Sequence, residues 1–356
     1  MQKKEMKANR WFAGAVFGTL LALLAFAGYI GVIDPFFHYH GPLQGLAYTL
    51  DNSRYQNDGI VKHFSYDTLI TGTSMVSNFK TSECDVIFGG NSIKTPFHGA
   101  TFREVNDNLK QAIAANPNLK TVIRCLDQGC FTQSEDYVSY EGIPYYLYDK
   151  NPFNDGDYIL NKEVFILADQ VREDTRTGKE MTSFDEYMNW QGDYSFGKEA
   201  VLATYERPGR ETHDARLSES ERVRAIENIR KNVTETAREN PNITFYYYLS
   251  PYSICYWDVS VMQPGKLDWY MDLEQTVLEE ILSCDNIKLF GYDDRTDLTC
   301  NLEHYQDQIH YDESTNSQIL RWMAEGEGLL TRENYEAYLQ RLYDFYGAYD
   351  YDSIYT

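Results

Sequence analysis

Short apolar runs alternate with helix-like stretches along most of this chain. The runs are rich in β-branched and aromatic residues and stop at turn or polar residues, as buried parallel strands do. The predicted strands cover residues 66–71, 92–97, 120–126, 243–249 and 286–290. Between and after them, apolar residues recur at helical spacing. The predicted helices cover residues 101–115, 218–240, 267–284, 314–324 and part of 334–356.

Strands that alternate with helices predict a parallel sheet with helices on both faces. We therefore predict the α/β class: a three-layer α/β/α fold with a flavodoxin-like parallel sheet of about five strands, preceded by an N-terminal transmembrane helix. The helix over 218–240 has the clearest start, because Ser218 and Glu221 have the spacing of a capping box. In such a sheet, ligands bind at the carboxyl ends of the strands.

Residues 131–210 interrupt the alternation with about eighty residues that are crowded with Tyr, Asn, Asp and Gly. This stretch is too long for a plain connection, so we interpret it as an insertion that caps or lines the site. Its tyrosines are candidate surfaces for stacking against sugars, and the alternative is that they are ordinary core and loop aromatics. The five candidates are Tyr137, Tyr140, Tyr145, Tyr146 and Tyr148.

The first 33 residues have the pattern of a membrane anchor. Residues 11–33 contain no charged side chain, and at about 1.5 Å per residue they are long enough to cross a bilayer. The basic residues before them predict a single pass through the cell membrane, with the N-terminus cytoplasmic and the rest extracytoplasmic. A cleaved signal peptide is the alternative, because residues 25–27 resemble a cleavage site, but the apolar run continues past them.

The predicted organisation has four parts. Residues 1–33 form the cytoplasmic basic tail and the anchor, and residues 34–65, rich in aromatic, His, Pro and Gly residues, form a stem. Residues 66–330 form the α/β domain with its insertion at 131–210, and residues 331–356 form a Tyr-rich C-terminal tail.

Charge and cysteine content exclude two classes of function. With 54 acidic and 32 basic residues, the formal net charge is -22, and a nucleic-acid partner is excluded because phosphate binding needs clustered Lys and Arg. The six cysteines lack both the paired Cys-x-x-Cys spacing and a Cys/His metal pattern. We therefore predict no metal and no cofactor.

Candidate catalytic residues follow the first and the last predicted strands. Gly72-Thr73-Ser74 follows the first strand, and Asp307-Gln308-Ile309-His310 lies between the fifth strand and the helix over 314–324. A serine nucleophile needs a base within hydrogen-bond reach, and the base needs a carboxylate that orients it. We therefore predict Ser74 as nucleophile, His310 as general base and Asp307 as the orienting carboxylate.

On these residues the sequence resembles the SGNH (GDSL-like) hydrolase superfamily, whose first block is Gly-x-Ser and whose last block is Asp-x-x-His. The anchor and the long insertion make it most similar to the membrane-anchored, DltD-like branch of bacterial cell-envelope acylation proteins. The resemblance implies an oxyanion hole, for which Ser74 and Gly99 are the matching backbone donors. The usual third-block Asn is missing, and strand three ends in Leu126-Asp127-Gln128-Gly129 instead. Gln128 is then the candidate replacement, with the acidic Asp127 an unfavourable neighbour.

The resemblance further implies a serine acyl esterase or O-acyltransferase that acts on ester-linked acyl groups of cell-envelope glycopolymers. Its expected partners are a polysaccharide or teichoic-acid-like substrate, a membrane-bound O-acyltransferase, and the membrane itself through residues 11–33. The alternative is a catalytically silent scaffold that binds glycopolymer through its aromatic insertion.

Overall fold

A six-stranded sheet organises the computed structural model, which describes residues 2–211 and 215–355. The strands lie in the order β2-β1-β3-β4-β5-β6. The first five pair in parallel, and β6 pairs antiparallel with β5. Their bounds are β1 (Thr68–Gly72), β2 (Ser92–Pro96), β3 (Thr121–Leu126), β4 (Thr244–Leu249), β5 (Ile287–Phe290) and β6 (Leu329–Leu330). The α/β class and the flavodoxin-like order of the five parallel strands are confirmed.

Helices occupy most of the remaining chain. They are α1 (Gln2–Ile33), α2 (Ser53–His63), α3 (Thr81–Phe88), α4 (Phe102–Ala115), α5 (Tyr145–Tyr148), α6 (Gly156–Ile159), α7 (Lys162–Thr177), α8 (Lys198–Ala203), α9 (Glu219–Ile229), α10 (Glu235–Glu239), α11 (Ile254–Tyr256), α12 (Leu267–Ile281), α13 (Thr296–Thr299), α14 (Glu313–Glu325) and α15 (Tyr335–Ala348). A π-helical segment, Arg230–Thr234, joins α9 to α10. The sequence prediction of one helix over 218–240 thus corresponds to three successive helical segments.

Two helix starts show why these segments are helical where they are. Ser218 caps α9 by accepting a hydrogen bond from the backbone N–H of Glu221, whose side chain bonds back to Ser218, so the predicted capping box is present. Thr101 and Glu104 form the same arrangement at α4. Each box satisfies two backbone donors that a helix start would otherwise leave without a partner.

The chain divides into two compact units. The first contains the chain through Phe64 together with Gly142–Thr182, and the second contains Ser65–Glu141 together with the chain from Ser183 onward. The central part of the 131–210 segment therefore belongs with the N-terminal region, because tertiary contacts group these two parts and sequence separation does not.

The first unit is built around the end of α1. Its residues Asn9–Ile33 are long and apolar enough to cross a membrane, as predicted. Immediately after it, the buried Asp34 carboxylate accepts hydrogen bonds from the backbone N–H groups of His38, Tyr39 and His40 and from the hydroxyl of Tyr158. These bonds fold the start of the predicted stem against the segment that follows α5.

The second unit contains the sheet. Every residue of β1 and β2 is buried, so both faces of the sheet are covered, which requires helices on both sides. The C-terminal tail ends in α15, whose Tyr338, Leu342 and Tyr346 are buried at the predicted helical spacing. The short β6 was not predicted, because two residues carry no periodicity and the pairing depends on their contact with β5.

Candidate active site

The turn after β1 carries Ser74 at the carboxyl end of the sheet. Gly72 has φ 153°, and a Cβ atom there would lie 2.9 Å from Val76 Cγ1 and 3.1 Å from Cys125 Cβ, so the position requires glycine. Ser74 then begins a short 3-10 turn that ends at Val76. The tight turn places the serine side chain beyond the end of the strand.

The three predicted catalytic residues lie in one hydrogen-bonded line. Ser74 Oγ is 2.8 Å from His310 Nε2, and His310 Nδ1 is 2.7 Å from Asp307 Oδ2. The second carboxylate oxygen of Asp307 accepts the backbone N–H groups of Ile309 at 2.9 Å and of His310 at 2.8 Å. When His310 donates Nδ1–H to Asp307, its Nε2 is the acceptor that faces the Ser74 hydroxyl.

The charge of Asp307 is held by this arrangement. Burial by itself would raise the pKa of Asp307, but the hydrogen bond and charge interaction with His310 and the backbone donors of His310 and Ile309 outweigh it. The pKa of Asp307 therefore lies below its usual value. The carboxylate stays ionised wherever an imidazole can titrate, which is what orienting a histidine base needs.

A cavity of about 530 Å³ opens onto Ser74 and His310. One wall is Trp190, whose indole N–H donates to the Ser74 carbonyl oxygen at 3.2 Å. Its ring also meets the His310 ring edge-on, with ring centres 5.6 Å apart. Trp190 therefore fixes both the turn of the serine and the plane of the imidazole.

The structure places the candidate oxyanion donors differently relative to the cavity. Gly99, at φ 63°, lines the cavity together with Ser74. The structure contradicts the expected role of the Gln128 side chain as an oxyanion donor. Its amide donates to the Ser250 carbonyl at 3.0 Å and to Asp293 Oδ2 at 3.1 Å, and these bonds use both of its N–H groups. Gln128 is buried, and Asp127, Gly129 and Cys130 line the cavity around it instead.

Asp127 lines the cavity, and two hydroxyl groups donate hydrogen bonds to its carboxylate. Its Oδ2 accepts the Thr73 hydroxyl at 2.7 Å, and its Oδ1 accepts the Tyr252 hydroxyl at 2.7 Å. Hydrogen bonds from two hydroxyl groups spread the carboxylate charge, and this weakens the repulsion that the sequence alone suggests for a developing oxyanion.

Three residues of the cavity were not selected from the sequence. Tyr252 follows β4 and was detectable from its place at a strand end, whereas Trp190 has no local signal. His98 precedes Gly99, and its Nε2 is 2.8 Å from the hydroxyl of the buried Ser77. A second serine–histidine contact therefore braces the loop that carries Gly99.

None of the five candidate tyrosines of the insertion is among the residues described as lining the Ser74 cavity. Tyr145, Tyr146 and Tyr148 belong to α5 in the first unit, where Tyr146 and Tyr148 pack against a buried apolar cluster. Tyr137 and Tyr140 are exposed residues of the second unit, and the described lining of the cavity does not include them. The lining contains Trp190 and Tyr194 instead.

Within residues 2–211 and 215–355, no group of three or more His, Cys, Asp or Glu side chains has an arrangement that could hold a metal ion. All six cysteines are free thiols. A second His–Asp pair, His304 Nδ1 with Asp312 Oδ2 at 3.0 Å, is not among the residues described as lining the Ser74 cavity. Its serine contact differs too, because Ser314 Oγ donates to the Asp312 carboxylate at 2.8 Å and not to the histidine.

Comparison with known proteins adds little to this geometry. No protein-family model and no curated protein sequence matches the chain. One solved structure, of a protein from Streptococcus pneumonia provisionally described as a platelet activating factor, matches 77% of this chain and 90% of its own, with 11% identity and a TM-score of 0.39. A similarity of this size carries no information about the site.

Proposed function

We propose that this chain is a serine acyl esterase or O-acyltransferase, anchored in the cell membrane, that acts on ester-linked acyl groups of cell-envelope glycopolymers. The observation that carries the proposal is the line from Ser74 Oγ through His310 to Asp307, with contacts of 2.8 and 2.7 Å, at the edge of an open cavity. The resemblance to the SGNH superfamily supplies the substrate class, and the basic residues before the apolar run supply the extracytoplasmic location.

The first half of the reaction forms an acyl-enzyme. Ser74 Oγ attacks the ester carbonyl while His310 Nε2 takes its proton, and the carbonyl oxygen becomes an oxyanion near the backbone N–H groups of Ser74 and Gly99. The tetrahedral intermediate then collapses and breaks the ester C–O bond. The departing alkoxide takes the proton from His310, and the acyl group remains on Ser74.

The second half returns the enzyme to its starting state. An acceptor hydroxyl, from water or from a sugar, gives its proton to His310 and attacks the acyl carbonyl. Ser74 leaves with that proton, and the product is a free acid or a new ester. In a transferase the sugar hydroxyl must outcompete water for the acyl group. It can do so when the site holds it in place, because positioning raises its effective concentration. A membrane-bound O-acyltransferase is the proposed source of acyl groups.

The test combines three variants with a fluorophosphonate probe and a small activated ester. Ser74→Ala should abolish labelling and ester cleavage. Asp307→Asn should label slowly and lose several orders of magnitude in kcat with little change in unfolding temperature, because the imidazole loses its orienting partner. His304→Gln is the matched control: it breaks the second His–Asp pair and should retain wild-type activity.

Two results would count against the proposal. Cleavage by Ser74→Ala at the wild-type rate would remove Ser74 as nucleophile. A folded wild-type protein that neither labels nor cleaves any ester, yet binds glycopolymer, would favour the silent scaffold.

A further inference from the structure

We propose that the first unit rests in the membrane surface beside α1 and inserts the apolar side chains of Phe153, Leu160 and Ile166 into the lipid. This surface, called here the α6–α7 edge, consists of residues 153–167. This placement rests on the part of the proposed function that anchors α1 in a membrane, and it requires neither the catalytic residues nor a particular side of the membrane.

The end of α7 nearest the membrane is identified by its contacts with α1. The Phe165 ring stacks on the Phe26 ring, with centres 4.8 Å apart and planes 11° apart, and it also packs against Tyr29 at 5.3 Å. Phe26 and Tyr29 belong to the segment Asn9–Ile33 that can cross a bilayer. The start of α7 is therefore attached to the membrane-spanning helix itself.

The length of α1 determines how deep this contact lies. The 25 residues of Asn9–Ile33 measure about 37 Å, whereas the hydrocarbon core is about 30 Å thick. Phe26 lies seven residues, or about 10 Å, before Ile33. Even if the whole excess of about 7 Å emerges at the Ile33 end, Phe26 stays inside the hydrocarbon boundary. Its partner Phe165 must then lie at that boundary too.

The exposed apolar side chains of residues 153–167 suit this position. Phe153 is 95% exposed, Leu160 51% and Ile166 47%, an arrangement that is costly for a surface facing water. The surface of the other half of α7 is different, because it carries ion pairs between Asp169 and Arg172 and between Glu173 and Arg176. The helix thus changes from apolar to charged along its length, away from the contact with Phe26.

The charged residues of the α6–α7 edge limit its depth. Asp157, Lys162 and Glu163 are exposed and need water or lipid headgroups. The long stems of Lys162 and Glu163 let their charges reach the headgroups while the backbone lies lower. The edge therefore rests about 5–10 Å into the boundary between headgroups and acyl chains, as interfacial elements do. Lipid is favoured over a protein partner because the edge is continuous with α1.

The test measures depth in a bilayer that contains no other protein. Full-length protein with Cys300→Ser serves as background, because the other five cysteines are buried. A spin label is placed through Leu160→Cys or Ile166→Cys, and through Thr177→Cys at the charged end of the same helix as the control. The proteins are reconstituted into phosphatidylcholine vesicles, and the label's collisions with oxygen, which concentrates in lipid, are compared with collisions with a water-soluble nickel chelate.

We expect the oxygen-to-nickel ratio to be several-fold higher at positions 160 and 166 than at position 177. Equal ratios at the three positions would place the edge in water and overturn the proposal. Labels at 160 and 166 that neither reagent reaches would mean that protein, such as a second copy of the chain, covers the edge, and this would also overturn it. Circular dichroism verifies that the variants are folded. The Cys300→Ser protein without an introduced cysteine, treated with the same spin label, measures background labelling.

Discussion

Among single residues, the buried carboxyls behind the cavity respond most to pH. Glu274 is fully buried, and the nearby Tyr270 hydroxyl offsets only part of the effect of burial on its pKa. Burial raises the pKa of Glu274 to about 7. Burial, and next the charge of Glu274, raise the pKa of Asp293, whose Oδ2 accepts from Gln128 and from Tyr338 at 3.2 Å. The folded protein therefore prefers protonated carboxyl groups here.

We predict that Glu274→Gln relieves a loss of stability that the wild type suffers as pH rises. Between about pH 4.5 and 7 the folded state binds a proton that the unfolded state has released, so the free energy of unfolding falls with rising pH across this window. The loss is on the order of 3 kcal/mol. In urea unfolding, the free energy of unfolding of the variant relative to that of the wild type should rise by about this amount from pH 4.5 to pH 8. Glu279→Gln, an exposed change on α12, should show no such rise. Parallel stability curves for wild type and Glu274→Gln would contradict the prediction.

Among the elements, β2 supports the turn that carries Ser74. The buried Lys94 on this strand donates from Nζ to the carbonyl oxygens of Ser77, of Phe79 at 2.9 Å and of Asp185 at 3.1 Å. The backbone N–H of Phe97 adds a bond to the Gly72 carbonyl at 2.8 Å. One lysine therefore provides hydrogen bonds to three carbonyl groups, two of which lie just after the turn that carries Ser74. We interpret Lys94 as a residue that positions this turn.

We predict that Lys94→Met destabilises the protein by about 2–5 kcal/mol, because it leaves buried carbonyl oxygens without a donor. Fluorophosphonate labelling of Ser74 should also slow, even at temperatures where the variant is fully folded. Lys120→Met, just before β3, removes a mostly exposed lysine and should cost less than about 0.5 kcal/mol. Lys94→Met with unchanged stability and labelling rate would show that these bonds do not support the turn.

For the whole molecule, charge is distributed unevenly about the anchor. The first ten residues hold four basic residues and one acidic residue, and the rest of the chain holds 28 basic and 53 acidic residues. Positive charge before an apolar helix keeps that end in the cytoplasm. The strongly acidic remainder favours solubility and gives little attraction to anionic lipid, so apolar contacts and not charge hold the first unit to the bilayer.

We predict that protease added to intact cells digests the protein and spares only a short N-terminal fragment. In inside-out vesicles the same protease should trim the basic tail and leave the rest whole. The fragments are detected with tags at either end. A full-length chain that survives on intact cells and is digested in inside-out vesicles would reverse the orientation, and with it the cell-envelope substrate.

Much of this protein is determined by local sequence. Periods of two and 3.6 residues, capping boxes such as that of Ser218 and Glu221, and the charge-free run before Asp34 act over short distances, and a single chain displays them. The residues Ser74, Asp307 and His310 were accessible to the same reasoning, because they follow strands whose carboxyl ends share one edge of the sheet. Their catalytic roles stay predictions.

Only the tertiary structure decided the rest. The side chain of Gln128 turns to Ser250 and Asp293, because a buried amide goes where partners lie, and those partners are more than 120 residues away in sequence. Trp190 reaches Ser74 and His310 across similar distances along the chain. The segment 142–182 joins the N-terminal unit because Phe165 and Tyr158 find apolar and polar partners around the end of α1. Contacts between residues far apart in sequence carry no periodicity, so the sequence by itself does not reveal them.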